Sequence, residues 1–205
     1  MSSRRHAQRP EHLRATIADE AARIMQESGL ADFRAAKAKA VERMGLGRQA
    51  PLPGNAEIEA ALAERNRVFG GDRHAAQLQR LRRLAADLML ALQAFRPRLV
   101  GAVLSGHATE HSAIDLHLFA DAAEAVGAQL DSLGLRHRPI ACRHRWRRGE
   151  EFQLPGYRFR VDGTECLASV FPERRRAHAP LSPVDGRPMR RAGLRELQEL
   201  LAAEP

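Results

Sequence analysis

The sequence predicts an α+β fold, a mixed sheet backed by helices and preceded by a helical N-terminal region. Two observations lead there. Apolar residues recur at helical spacing from Leu13 to Phe95, and after Pro97 the period turns strand-like, with a single helical stretch before residue 134.

The elements follow in order. Leu13, Ile17, Ala21 and Ile24 mark a helix from Glu11 that Gly29 terminates. Asp32 caps a second helix with Phe33, Ala36, Ala40, Val41 and Met44 inward, and Gly45 lies past its end. Pro51 to Asn55 is a break. Asn55 caps a third helix with Ile58, Leu62 and Phe69, closed by Gly70 and Gly71. Leu78, Leu81, Ala85, Leu88, Leu92 and Phe95 then alternate steps of three and four, the pattern of a long helix that stops before Pro97.

Leu99 to Leu104 reads as a buried strand, Ser105-Gly106 as a turn, and Ala113 to Phe119 as a strand with Ile114, Leu116 and Leu118 on one face. Asp115, His117 and Phe119 take the other face. Asp121 caps a helix running to Gly134. Three strands follow, Leu135 to Trp146, Phe152 to Val161 and Thr164 to Phe171, the last two joined by an Asp162-Gly163 hairpin turn. A basic, Pro-rich segment precedes a final helix at Leu194, Leu197, Leu200 and Leu201. The expected division is 1–72 as the helical region, 73–175 as the sheet-bearing core and 176–205 as the basic segment with the last helix. The first region is either a separate bundle or a lid.

Composition narrows the function classes. With 44% hydrophobic and 28% charged residues the 205-residue chain suits a soluble globular protein, and no apolar run approaches the ~20 residues of a membrane span. Arg4, Arg5 and Arg9 lead into an amphipathic stretch instead of the apolar core of a secretion signal, so a cytoplasmic location is expected. Cys142 and Cys166 are too few for a disulfide framework. The net charge of +8 makes phosphate-bearing partners plausible, although only Lys37 and Lys39 are lysines and an Arg-rich, Ala-rich chain is also what a GC-rich genome encodes. Ser105 lacks the small-residue elbow of the serine hydrolases, and no Walker or dinucleotide-binding glycine pattern is present.

The stretch Leu104 to Phe119, LSGHATEHSAIDLHLF, carries the richest chemistry. It resembles the polymerase-beta-type nucleotidyltransferase superfamily. That resemblance implies a nucleotidyltransferase-like sheet, a Gly-Ser turn holding nucleotide phosphates, and two carboxylates one residue apart on the next strand that hold divalent metals for phosphoryl transfer. Gly106 takes the place of the family's glycine, His107 stands where its serine would be, and Ser105 precedes the glycine. Ser112-Ala113-Ile114-Asp115-Leu116 is similar to Ser-Asp-Ile-Asp-Leu with alanine for the first aspartate. In the other register Asp115 is the first ligand and His117 replaces the second. The third carboxylate is Glu165, with Asp162 as the next candidate. Asp115, His117 and Glu165 are thus the implied catalytic and metal-binding set, and Ser105, Gly106, His107 and Ser112 the implied phosphate contacts. Magnesium or manganese is the implied metal, zinc a lesser alternative. Losing a carboxylate impairs a two-magnesium site, so the expected activity is nucleotide or RNA phosphate binding with weakened or altered transfer. The chain also resembles a bacterial family sharing the Ser-Gly turn and His-Leu-Phe strand, which assigns no reaction. The plain alternative leaves Asp115 and His117 as solvent-facing alternates on a half-buried strand.

Two rival sites remain. His107, Glu110, His111, Asp115 and His117 lie within eleven residues and suggest a single-metal hydrolase. Cys142, His144 and Cys166 form a weaker set of the same kind. Residues 136–148 hold six arginines, two histidines and Trp146 with no acidic residue; on a strand Arg143, Arg145 and Arg147 share one face, and His144, Trp146 and Arg148 the other. That strand suits RNA or DNA binding through phosphate pairing and base stacking on Trp146, or it is a solvated edge strand. Arg174 to Arg176, Arg187, Arg190 and Arg191 form a second basic cluster. Oligomeric state has no signature.

Overall fold

A computed structural model describes residues 3–30, 32–47, 49–147 and 150–203, with side chains from residue 10 onward. The chain divides into two compact units, residues 1–75 with 109–111, and residues 76–108 with 112–205. The fold is mixed α+β, with helices at the N-terminus and one five-stranded mixed sheet.

The first unit holds α1 (Ser3–Ser28), α2 (Phe33–Arg43) and α3 (Asn55–Arg65). Their shared core is Ile17, Ala21, Ala22, Ile24, Ala36, Ala40, Ile58 and Leu62, and its many alanines let the helix backbones approach closely. Helix α1 begins before the expected Glu11 and carries Pro10 inside it. Asp32 caps α2 as expected, accepting from the N–H groups of Arg34 and Ala35. Helix α3 is capped one residue earlier than expected: the N–H of Gly54 donates to Glu57 Oε2 at 2.7 Å, and Asn55 is the first helical residue. A π-helical turn, Asn66–Gly70, follows it.

Helix α4 (Gly71–Ala91) belongs to the second unit from Ala76 onward, where it buries Leu78, Leu81, Ala85, Leu88 and Met89 against one sheet face. The strands are β1 (Arg98–Val100), β2 (Ile114–Phe119), β3 (His137–Arg147), β4 (Glu150–Val161) and β5 (Thr164–Phe171), in the order β1-β2-β5-β4-β3. Only the β2–β5 pair is parallel. Helix α6 (Ala123–Ser132) makes the crossover after β2, and α7 (Leu194–Ala203) adds Leu197 to the core.

The expected strand Leu99 to Leu104 is corrected. Pairing stops at Val100, and Gly101–Ser105 form a short helix, α5. Gly101 has φ 72, a left-handed conformation that ends the strand, and a short apolar run does not distinguish strand from helix by pattern alone. Asp121 is also displaced from its expected cap: Ala122 precedes α6, while Asp121 Oδ1 accepts from the N–H of Glu173. Among the described residues no helix is long and apolar enough to cross a membrane.

Candidate active site on the open sheet face

Alternation sorts the sheet into two faces. Ile114, Leu116, Leu118, Tyr157, Phe159, Cys166, Ala168 and Val170 point to the helices. Asp115, His117 and Phe119 point the other way, beside Glu165, Leu167, Ser169 and Phe171 of β5. This second face carries the titratable groups.

Asp115 is partly buried on β2, opposite Val100 and Leu167 in register. A Cβ on Gly101 would sit 2.7 Å from Asp115 Oδ2, so the glycine backbone closes directly over the carboxyl. Burial, and then the charge of Glu165, raise its pKa from 3.8 to about 7. Asp115 and Glu165 therefore act on each other across neighbouring strands. Glu165 is also ion-paired with Arg158 at 3.0 Å.

His117 shares the face with Asp115 but is engaged elsewhere. Its Nδ1 accepts from Arg191 Nε at 3.0 Å, which puts the ring proton on Nε2, and only 2% of the residue is exposed. The ring packs on Phe171 and meets His144 edge-on at 5.3 Å. His144 pairs with Ser169 Oγ at 3.1 Å. Burial, with the nearby Arg191 charge, holds His117 well below its ordinary pKa and His144 down at about 4. Arg191 also donates to the carbonyls of Arg176 and His178 and lies against Phe119 and Phe171, so it ties the segment after β5 onto this face.

These histidines set an acid limit. Both are neutral when folded and accept a proton near pH 6.5 when unfolded, so their contribution to stability is complete above 6.5 and is lost as pH falls toward the folded values. In an NMR titration the His144 ring should titrate near pH 4. A midpoint near 6.5 would show that this layer is open to water.

The implied phosphate turn has a different local setting. Ser105 ends α5 and Gly106 (φ 86) is its C-terminal cap. Beneath them lies Arg82, 4% exposed, whose Nε and Nη2 donate to the carbonyls of Val103 and Leu104 at 3.1 and 3.2 Å. The backbone groups gathered at this end of α5 are acceptors. The N–H of His107 donates to the carbonyl of Ala102, and Ser112 precedes β2 on a partly buried loop. Glu110 and His111 group with the helical unit, where Gly29 abuts His111. Among the described residues no three His, Cys, Asp or Glu side chains are grouped to hold a metal ion. Cys142 and His144 share the second face, whereas Cys166 is in the core; burial pushes the Cys166 thiol up to about 12 and raises Cys142 also.

On β3, Arg143, Arg145 and Arg147 are exposed on one face, as the alternation requires. The register sets Glu151 opposite Arg145 and Glu150 opposite Arg147, which removes much of the row's surplus charge. Trp146 stacks on Phe152 at 4.7 Å and lies 4.9 Å from the guanidinium of Arg175, so its ring is already packed. Arg148 lies outside the described residues.

No protein-family model, curated protein or solved structure matches the chain. Sequence reasoning missed Arg82 and the connection of His117 to Arg191. Arg82 lies four residues after Leu78 on the inward stripe of α4, a signal that spacing alone supplies.

Proposed function

We propose that the sheet-bearing unit, residues 76–108 and 112–205, binds a nucleotide through its phosphates on the sheet face of Asp115 and Glu165, with phosphoryl transfer there weakened or altered from two-metal chemistry. The observation that carries this reading is the Asp115–Glu165 pair, with Gly101 closed over one carboxyl and Asp115 poised near neutrality. A carboxyl with a pKa of about 7 serves as a general acid or base at physiological pH. The two carboxylates suit one magnesium or manganese ion shared with substrate phosphates, and the metal would then supply charge stabilisation. His117 fits less well as a zinc ligand, since its Nδ1 is occupied by Arg191 and the ring is buried.

The RNA- or DNA-binding reading keeps one supporting observation, the three exposed arginines of β3. It predicts binding that weakens uniformly across sequences when they are neutralised, with a salt slope flattened by about one unit per lost phosphate contact.

The test of the main reading is a thermal-shift screen of nucleotides with magnesium, manganese and zinc, followed by transfer assays on Asp115→Ala. A nucleotide should raise the melting temperature, because a ligand that binds only the folded state stabilises it. Any transfer should be lost in the variant. Full magnesium-dependent transfer by Asp115→Ala would sink the assignment.

A further inference from the structure

At the end of the sheet where α6 turns into β3, a groove of about 680 Å³ is lined by Arg136, Arg138, Arg158, Arg160 and Glu165. Its volume falls in the range of small-ligand sites. Gly134, at φ 69, follows Leu133, the C-terminal cap of α6, and turns the chain toward β3. The sequence then sets two Arg-x-Arg doublets: Arg158 and Arg160 lie on one side of β4, while Arg136 immediately precedes β3, whose second residue is Arg138.

The register makes the doublets converge. Arg138 is directly opposite Arg158, and Arg160 is opposite Glu165. Like charges facing each other across a strand pair are destabilising, and one carboxylate does not neutralise four guanidiniums. The nearby carboxylate of Asp131 is bonded to His137 at 3.2 Å. Arg136, Arg138 and Arg160 are exposed, so an anion reaches them without rearrangement.

We infer that this groove is a binding site for a linear polyphosphate chain. The cations are spread over two neighbouring strands ~4.8 Å apart, with Arg158 and Arg160 ~6.6 Å apart along β4 and Arg136 just before β3, too wide for one phosphate to engage all of them. Guanidinium forks pair with phosphate oxygens in two parallel bonds, and a chain of linked phosphates spans the set. The chain is either the tail of a nucleoside triphosphate or inorganic polyphosphate. The inference stands on the groove itself and does not require Asp115 to act on the ligand.

The experiment is calorimetric titration of the full chain with tripolyphosphate, orthophosphate, the four ribonucleoside triphosphates and a single-stranded RNA. It compares wild type, Arg138→Gln/Arg160→Gln, Arg136→Gln/Arg138→Gln, and the charge-matched control Arg83→Gln/Arg195→Gln. Tripolyphosphate should bind saturably and far more tightly than orthophosphate. Each groove double variant should bind it ~30-fold or more weakly, as expected for two lost charge-assisted contacts, with the control within about twofold of wild type. Removing Arg138 relieves the opposed pair, so the ligand-free melting temperature of the variants should hold or rise, which separates lost binding from lost folding. Nucleoside triphosphates losing affinity in parallel identifies a nucleotide tail. Tripolyphosphate binding without any nucleotide binding identifies the inorganic chain, and there the nucleotide proposal fails while the groove stands. The inference is overturned if tripolyphosphate does not bind, if the control loses as much affinity as the groove variants, or if only RNA binding responds to them.

Discussion

Asp115→Asn should make the protein more stable at pH 8 by up to ~4 kcal/mol, with the gain fading to nothing near pH 4. The sign follows from linkage. The folded carboxyl holds its proton up to about pH 7, while the unfolded one releases it near 3.8. Between those values the folded state binds more protons, so stability falls as pH rises, and the penalty is complete above 7. An amide of the same shape removes the buried charge and with it the penalty. Urea unfolding of both proteins from pH 4 to pH 8 measures the effect. Parallel curves would mean that the carboxylate is well solvated and that Gly101 does not close over it.

Arg82→Met should cost ~3–5 kcal/mol, because two buried hydrogen bonds from a charged donor are lost and the carbonyls of Val103 and Leu104 are left without it. Those carbonyls belong to α5, whose first residue is Gly101, so the change also loosens the backbone over Asp115. The urea midpoint should drop with little change in slope. Arg83→Met, on the exposed side of the same helix, should stay within ~0.5 kcal/mol of wild type. Equal effects at the two positions would refute the capping role.

The parts of the fold legible in the sequence are those governed by local period. The stripe from Leu78 to Leu92 and the alternation of Ile114, Leu116 and Leu118 both point to the core as expected. The Asp162-Gly163 turn also forms where expected, with φ values of 49 and 74 that Asp and Gly tolerate. Helix α5 was hidden because Leu99 to Leu104 offers six apolar or small residues and no polar punctuation. The site was legible in its residue types and obscure in its partnerships. The alternation correctly sets Asp115 and His117 on one face, but the hydrogen bond that occupies His117 comes from Arg191, distant in the chain. Arg136-x-Arg138 and Arg158-x-Arg160 are plain in the sequence. That Arg138 opposes Arg158 depends on the register of the β3–β4 hairpin, and no local pattern states it. Trp146 shows the reverse case, an aromatic among arginines that resembles a stacking platform until Phe152 and Arg175 are found on it.

On the proposed function, the sheet face of Asp115 and Glu165 takes nucleotide phosphates. The most direct test is calorimetric titration of the intact chain with each ribonucleoside triphosphate and magnesium at low salt, repeated at higher salt. At least one nucleotide should saturate a single site per chain, with affinity that falls as salt rises and that changes in Asp115→Asn. Absence of binding by all four nucleotides at low salt would contradict it.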